Sequence, residues 1–518
     1  MKTNRRRFIQ GLASLGMFTA GGRLLGGDFN IGGKFVNGRF VAEKLRFGVI
    51  GAGGKGFTDW TMAFKHGEIP AAICDADRRE IDTSLEFLHK SGFDTSSIAI
   101  YTDYRRMLDD QAKLKLDMVT VSTPDHMHAA QAIGAMKRGI SCYVQKPLVR
   151  TLWEAQYFRE VAKASGCIVQ MGNQGSAAHG HRRNVELLQQ GVLGDVTEIY
   201  VWTDRPIWFQ GDMAKKFSGN KPVHAPAALD WDAWIGTAPY RAYPEDRPAG
   251  MTLPCRNQWA ANILGDYHKF NWRAFYDFGT GAFGDMACHT LNLPFRGAEL
   301  GAPVAAECLE QHEGNDVAFP SKSHVKVVYG ARKSKARPGA DLPEVVLHWY
   351  DGGMRPDEER LAPIMKALGP EPQNGCIIVG TKGMMASLDA YGINCLVMMD
   401  GEAEPRNAKE HEACSEAAVA PYIPRRKGTT ENIGKDTNYE QVAELCEAIK
   451  GEGEVFRDTN SRCFSDVDYA VPIMEGMLVG CIAQKVPGEI KWDSASQSFD
   501  SREANAMVRP YIRSGWEF

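Results

Sequence analysis

The stretch "LRFGVIGAGGKGF", which begins at Leu45, constrains the fold of this chain more than any other feature. Phe47, Val49 and Ile50 form a short apolar run typical of a buried strand. The glycines that follow fit the pattern G-x-G-x-x-G, and a helix is expected directly after them. Strand, glycine turn and helix in this order predict the phosphate-binding turn of a Rossmann domain.

The glycines have separate predicted roles. Gly51 permits the tight turn, Gly53 lets the backbone approach a diphosphate, and Gly56 lets the helix pack closely on the strand. Gly54 lies between them and belongs to the same predicted cofactor-binding set. The second predicted strand, "IPAAICDAD", leads into Asp75, whose carboxylate would bind both ribose hydroxyls and repel a 2′-phosphate. The sequence therefore predicts NAD rather than NADP.

The alternation of strands and helices continues to about residue 150, which predicts a parallel sheet with its ligand at the C-terminal strand ends. Further cofactor-site candidates fall at those ends: Thr123, Pro124, His128 and Lys146. From about residue 166, apolar and polar residues alternate as in an antiparallel sheet, and we also place "GCIVQMGNQGS" there. The predicted domains are a signal and linker (1–43), a Rossmann domain (44–165) and a substrate domain (166–518).

The N-terminus carries "RRRFIQ" at residues 5–10, which is similar to a twin-arginine export signal. The moderately apolar stretch that follows is too short and glycine-rich for a stable membrane span. A basic, flexible tail is the alternative interpretation. The signal predicts export to the periplasm by the twin-arginine machinery, with cleavage near Ala20, cleavage later, or retention as an anchor.

Composition narrows the classes of partner. Lys and Arg total 60 and Asp and Glu total 64, so the net charge is −4 and there is no basic field for nucleic acid. Twelve cysteines show no regular spacing, so neither a zinc site nor a disulfide framework is expected. His179 and His181 have no acidic or thiol partner nearby in the sequence, so no metal site is predicted.

Three motifs occur in order: "GVIGAGGKG", "STPDHMHAAQA" and "VQKPL". Together they resemble the Gfo/Idh/MocA oxidoreductases, the family of glucose–fructose oxidoreductase and inositol dehydrogenase. The third motif is usually Glu-Lys-Pro, and this chain has Gln145 in place of the glutamate. The resemblance implies an α/β Rossmann domain, an α+β domain with a large, mostly antiparallel open sheet, and a homo-oligomer, either a dimer or a tetramer. The segments "NWRAFYDFGTGAFGDMACHTLN" and "LDWDAWIGTAPY" resemble a bacterial subgroup that carries twin-arginine signals.

Asp285 and His289 are four residues apart and would share one face of a helix. A carboxylate beside an imidazole fixes its tautomer, which suits removal of a hydroxyl proton, but the spacing alone favours an ordinary surface pair. The resemblance implies that both are catalytic together with Lys146, which would orient the substrate hydroxyl and stabilise negative charge. Substrate-contact candidates, with ordinary packing as the alternative, are His181, Arg205, Trp208, Trp272 and Asn292.

Three functions remain open. The first is oxidation of a sugar, polyol or glycoside hydroxyl with a tightly bound, internally recycled NAD, because no ready pool of NAD exists outside the cytoplasm. The second is an NAD-dependent glycosidase that works by transient oxidation and elimination. The third is a non-catalytic sugar-binding protein.

Overall fold

The computed structural model describes residues 33–36, 39–219, 221–245, 268–369, 373–430, 432 and 434–518. The twin-arginine segment at residues 5–10 and the apolar stretch after it lie outside the described residues. Part of the predicted linker forms a two-stranded antiparallel ribbon made of β1 (Gly33–Val36) and β2 (Arg39–Ala42).

Six parallel strands form the first sheet, in the order β5-β4-β3-β6-β7-β8. Their bounds are β3 (Arg46–Ile50), β4 (Ile69–Cys74), β5 (Ala99–Tyr101), β6 (Met118–Val121), β7 (Ser141–Gln145) and β8 (Val169–Gly172). The helices of this domain are α1 (Lys55–Lys65), α2 (Arg78–Lys90), α3 (Tyr104–Asp109), α4 (Gln111–Leu114), α5 (Asp125–Met136) and α6 (Leu152–Ser165). The predicted Rossmann domain is confirmed.

The predicted boundary at residue 165 is wrong, because β8 is the sixth strand of the parallel sheet and pairs with β7. Its residues are buried throughout, as expected for a strand covered on both faces. A short apolar run does not indicate which sheet it joins, so periodicity alone placed this strand in the second domain.

Ten strands form the second sheet, in the order β18-β17-β16-β15-β9-β14-β11-β10-β19-β20. The strands of the second domain are β9 (Val196–Thr203), β10 (Pro303–His312), β11 (Lys322–Tyr329), β12 (Arg332–Lys333), β13 (Asp341–Leu342), β14 (Val345–Tyr350), β15 (Asn374–Gly380), β16 (Gly383–Ser387), β17 (Cys395–Met399), β18 (Arg406–Asn407), β19 (Ile490–Asp493) and β20 (Ser498–Phe499). Strands β12 and β13 form a separate ribbon. Within the large sheet β9 and β14 are parallel and the other pairs are antiparallel, so the predicted open, mostly antiparallel sheet is confirmed.

The helices of the second domain are α7 (His179–Gln189), α8 (Asp212–Ser218), α9 (Trp231–Ile235), α10 (Gly281–Thr290), α11 (Asn292–Gly297), α12 (Ala362–Leu368), α13 (Asp436–Ile449), α14 (Val467–Ala483) and α15 (Arg502–Asn505). Helix α14 packs on α6 on one side and on β10 and β11 on the other. An apolar surface all round is expected for a helix in that position. None of the helices in the described ranges has both the length and the apolarity needed to cross a bilayer.

Helix α10 is held against the inner face of the large sheet. Phe283 stacks on Trp349 of β14 with ring centroids 4.5 Å apart. The Phe283 ring also fits against Gly480 of α14, where an added Cβ would lie 2.3 Å from the ring. This packing fixes the helix that carries Asp285 and His289. Helix α13 of the second domain packs on α1, so both domains border the glycine turn.

Candidate active site

The glycine turn has the shape of a phosphate cradle. Gly51 has a φ of 84°, and a Cβ on Gly56 would lie 2.0 Å from the Gly51 carbonyl oxygen, so neither position accepts a side chain without rearrangement. A Cβ on Gly53 would lie 2.5 Å from the Glu80 carboxyl group, whereas Gly54 faces open space. Helix α1 begins without a side-chain cap, which leaves backbone N–H groups for a diphosphate. These residues fit a dinucleotide.

Asp75 organises this turn. Its Oδ2 accepts hydrogen bonds from the N–H groups of Ala52 (2.7 Å) and Gly53 (3.3 Å), and its Oδ1 accepts one from Asp77 (2.9 Å). The pKa of Asp75 is raised to about 6. Burial is the main cause and the charge of Glu80 adds to it, while the hydrogen bonds from the backbone act in the opposite direction. Glu80 was missed by the sequence analysis; its place in the first turn of α2, directly after β4, is the signal that could have identified it.

His128 joins the loops that follow β6 and β7. Its Nδ1 lies 2.7 Å from the Pro147 carbonyl oxygen, and its Nε2 lies 2.7 Å from the Thr123 carbonyl oxygen. Burial lowers the pKa of His128 to about 4, so the neutral ring donates to one of these carbonyls at a time. The hydroxyl of Thr123 donates to Gln131, and Pro124 precedes the first residue of α5. His128 therefore supports both loops instead of presenting a free ring nitrogen to a ligand.

Lys146 and Asp285 form a buried ion pair. The Lys146 Nζ donates to the Asp285 Oδ1 at 3.0 Å and to the Asp285 carbonyl oxygen at 2.8 Å. The Arg273 Nε lies 3.3 Å from the same Oδ1, and its guanidinium lies 4.0 Å from the Phe270 ring centre and 4.2 Å from that of Trp272. Burial would raise the pKa of Asp285, but the charges of Lys146 and Arg273 hold it well below its usual value. Arg273 was missed by the sequence analysis, and Trp272, predicted to contact substrate, packs against it.

His289 lies on the same helix with its ring nearly buried. Its Nδ1 has no hydrogen-bond partner among the described residues, so the expected Asp285–imidazole hydrogen bond is replaced by the ion pair with Lys146. Burial and the charge of Lys146 hold the pKa of His289 well below its usual value, so the ring is neutral. The rings of Tyr391 and His289 pack edge to face with their centroids 5.0 Å apart. Gln174 donates a hydrogen bond to the Tyr391 hydroxyl at 3.4 Å.

Gln145 stands directly before Lys146. Its Oε1 accepts the Lys146 backbone N–H at 3.2 Å, and its Nε2 is buried without a partner in the part of the chain that the structure describes. An amide therefore occupies the position of the usual carboxylate, and it removes one negative charge from beside the lysine.

Three of the five substrate candidates are almost fully buried, namely His181, Trp208 and Asn292. The His181 Nδ1 lies 2.9 Å from the Tyr391 carbonyl oxygen, and the Trp208 Nε1 donates to Gln210 at 2.8 Å. Asn292 donates to Ser176 at 2.9 Å and accepts a hydrogen bond from Tyr469. These side chains hold neighbouring segments in place. Arg205 is partly exposed, forms an ion pair with Asp204 and lies close enough to His289 to lower its pKa.

Known proteins share parts of this chain's sequence and its fold. Residues 45–173 match the family model described as "Oxidoreductase family, NAD-binding Rossmann fold" (GFO_IDH_MocA). The chain is 28% identical over 211 residues to a glycosyl hydrolase family 109 protein from Shewanella pealeana, a match that covers 38% of this chain and 45% of that protein. It is 27% identical over 208 residues to an alpha-N-acetylgalactosaminidase from Shewanella oneidensis, covering 37% of this chain and 44% of the relative. The chain thus spans less than half the length of these curated relatives.

Solved structures show the same fold. An inositol dehydrogenase homolog from Azotobacter vinelandii, complexed with NADH and myo-inositol, superposes with a TM-score of 0.53 at 14% identity and covers 87% of this chain and 98% of that one. An aldose-aldose oxidoreductase from Caulobacter crescentus superposes with a TM-score of 0.50 at 13% identity and covers 87% and 100%. The structures show the fold, and the family match shows that residues 45–173 are similar to the NAD-binding Rossmann domain of the Gfo/Idh/MocA oxidoreductases.

Proposed function

We propose that this protein oxidises a hydroxyl-bearing carbon of a sugar, polyol or glycoside. One observation carries the proposal: a buried Lys146–Asp285 ion pair and a neutral His289 lie together at the C-terminal end of the parallel sheet that holds NAD. NAD⁺ bound in this domain supplies a hydride acceptor. The charged pair and the uncharged base are what removal of a hydroxyl proton requires.

Each residue has a role that follows from its contacts. The Lys146 ammonium has three N–H groups. Two of them bond to the carbonyl and carboxylate oxygens of Asp285, which leaves one for the substrate oxygen among the described contacts. That hydrogen bond stabilises the negative charge that develops on the oxygen as its proton leaves. His289 accepts the proton because its ring is neutral. Asp285 stays ionised between Lys146 and Arg273, which fixes the position of the ammonium.

A second candidate is an NAD-dependent glycosidase. The matches to a glycosyl hydrolase family 109 protein and to an alpha-N-acetylgalactosaminidase favour it. In this reaction the oxidised carbon would acidify the neighbouring C–H, the aglycone would be eliminated as that proton leaves, water would add to the resulting double bond, and the hydride would return to the same sugar. The same Lys146 and His289 serve both reactions, because both begin with oxidation of a hydroxyl.

Export is part of the proposal. The "RRRFIQ" segment supports passage through the twin-arginine route, which carries folded proteins, so NAD would be bound before the protein reaches the periplasm. A protein that released NADH in every turnover would then lose its cofactor. We therefore infer that NAD is held tightly and regenerated in place, by a second substrate or by return of the hydride.

The test uses protein purified from the periplasm. Nucleotide is extracted and quantified, and the protein is then mixed with a panel of sugars, polyols and glycosides while NADH absorbance is followed. Oxidation predicts an absorbance rise at 340 nm; the glycosidase predicts aglycone release without net NADH and with solvent deuterium in the sugar. A Lys146→Met variant should lose either activity. Binding of a sugar without either signal would instead indicate a non-catalytic binding protein.

A further inference from the structure

A segment of the second domain, residues 222–245, pairs with the loop that follows Asp75; we call this segment the strap. The Arg78 N–H donates to the Ala228 carbonyl oxygen at 2.8 Å, and the Asp230 N–H donates to the Ala76 carbonyl oxygen at 2.8 Å. Asp77 and Leu229 form the antiparallel bridge between these two bonds. The loop at the adenosine end of the dinucleotide site is thus bonded to the second domain.

The other end of the strap holds His126, in the first turn of α5, which begins directly after the loop that follows β6. The Thr237 hydroxyl donates to the His126 carbonyl oxygen at 3.0 Å. The His126 Nε2 lies 3.1 Å from the Ile235 carbonyl oxygen and 3.2 Å from that of Trp234, and burial lowers the pKa of His126 to about 3. The neutral imidazole therefore bonds to the strap as a donor. One segment is thus tied to two anchors at the ligand edge of the parallel sheet, the loop after β4 and the first turn of α5.

The strap is itself firmly held between these two anchors. Trp231 and Trp234 stack with ring centroids 4.8 Å apart. Near the C-terminus, Arg513 donates to the carbonyl oxygens of Gly236 and Asp232 at 2.9 Å each, and its backbone N–H donates to that of Thr237. Movement of the strap away from the sheet edge would break these contacts as well as its bonds to the two anchors.

We propose that the strap retains NAD by closing this edge, and that its residues are positioning residues for the cofactor. A dinucleotide in a Rossmann domain lies across the C-terminal strand ends, with its adenosine ribose at the acidic residue and its diphosphate at the glycine turn. Release then requires at least one of the two anchors to separate from the strap. The proposal deepens the proposed function, since it rests on a cofactor that stays bound between turnovers.

Two substitutions of Asp230 can distinguish what its backbone N–H contributes to NAD retention from what its side chain contributes. Asp230 has a φ of −75°, which a proline ring accepts, and its side chain caps α9 by accepting the Ala233 N–H and bonds to Thr102. Asp230→Ala removes both side-chain contacts and keeps the N–H that bonds to Ala76. Asp230→Pro also removes that N–H. The difference between the two variants isolates one strap bond.

The measurement is the dissociation rate of NADH from the full chain, followed by fluorescence after addition of excess NAD⁺. One lost hydrogen bond, at about 1 kcal/mol, predicts release about five-fold faster for Asp230→Pro than for Asp230→Ala. Thr237→Val removes the hydroxyl bond at the opposite end of the strap and should also accelerate NADH release relative to the parent chain. This variant tests the proposal if Asp230→Pro fails to fold. Equal rates in Asp230→Ala and Asp230→Pro, or a parent-like rate in Thr237→Val, would overturn the proposal.

No substrate enters this assay, so its outcome is independent of the proposed reaction. Faster release without turnover of any sugar would support the strap and remove the oxidoreductase proposal. Turnover of a sugar with the same NADH release rate in every variant would support the oxidoreductase proposal and remove the strap.

Discussion

Asp125 is a buried carboxyl group beside the candidate catalytic residues. It is 2% exposed, and its Oδ2 accepts a hydrogen bond from the Thr280 hydroxyl at 2.9 Å. Burial, and after it the charge of Asp285, raises the pKa of Asp125 from 3.8 to about 7. The folded protein therefore holds a proton on this side chain at pH values where the unfolded chain has lost it.

This difference makes the free energy of unfolding depend on pH. Well below the unfolded pKa of 3.8 both states hold the proton, and as the pH rises the unfolded state loses it first, so stability falls until Asp125 ionises in the folded state near pH 7. The shift of about three pKa units, at about 1.36 kcal/mol per unit, corresponds to about 4 kcal/mol in total. Roughly 2 kcal/mol of this loss falls between pH 5 and pH 7.

The variant Asp125→Asn keeps an acceptor for Thr280 and cannot ionise. Its stability, measured by urea unfolding, should therefore rise relative to the parent chain by about 2 kcal/mol from pH 5 to pH 7 and stay level above pH 8. Asp82→Asn is the control, because Asp82 is a helix carboxylate with its side chain 60% exposed. A constant difference between Asp125→Asn and the parent across this range, or a difference of the opposite sign, would refute the reasoning.

Three other substitutions test the cofactor site and the ion pair. Gly56→Ala places a Cβ 2.0 Å from the Gly51 carbonyl oxygen and should weaken NAD binding at least about ten-fold by calorimetry; unchanged affinity would contradict the assigned turn. Asp75→Ser removes the charge that repels a 2′-phosphate, so the ratio of NADP to NAD affinity should rise about ten-fold or more, and an unchanged ratio would show that another group sets the preference. Lys146→Met should slow single-turnover NADH formation by roughly 10³-fold, since it removes about 3–4 kcal/mol of charge stabilisation, and a loss below ten-fold would exclude the role given to Lys146.

Local patterns carried most of what the sequence predicted correctly. The glycine turn is readable because Gly51, Gly53 and Gly56 each answer a steric demand within six residues. The role of Asp75 at the ribose stays a prediction; its carboxylate accepts hydrogen bonds from the turn. The boundary at residue 165 failed because β8 looks like any other short apolar strand. Pattern identifies an element more readily than it identifies the neighbours of that element.

The direction of individual side chains accounts for the remaining differences between the predicted site and the structure. Tyr391 approaches His289 from a separate segment with no fixed spacing to it, whereas Arg273 stands in the same quoted segment as Asp285 but gives no sign of which residue its side chain contacts. Trp208 was predicted to contact substrate because its residue type suits sugar stacking, but the long segment around it buries its own aromatic cluster. Residue type gives the bonding capacity of a side chain, and the fold decides where that capacity is used.

A retained cofactor has a consequence for kinetics that joins the two proposals. If NADH stays under the strap, the oxidised product must leave before a second substrate accepts the hydride. Double-reciprocal plots of initial rate against the first substrate, made at several concentrations of the second, should then give parallel lines. If the hydride returns to the same sugar, no second substrate is needed, and deuterium from solvent should appear at the carbon beside the oxidised one. Intersecting lines that require added NAD would mean that the nucleotide exchanges in every cycle. That result would remove both the strap's retaining role and the reason for an exported protein to load its cofactor before export.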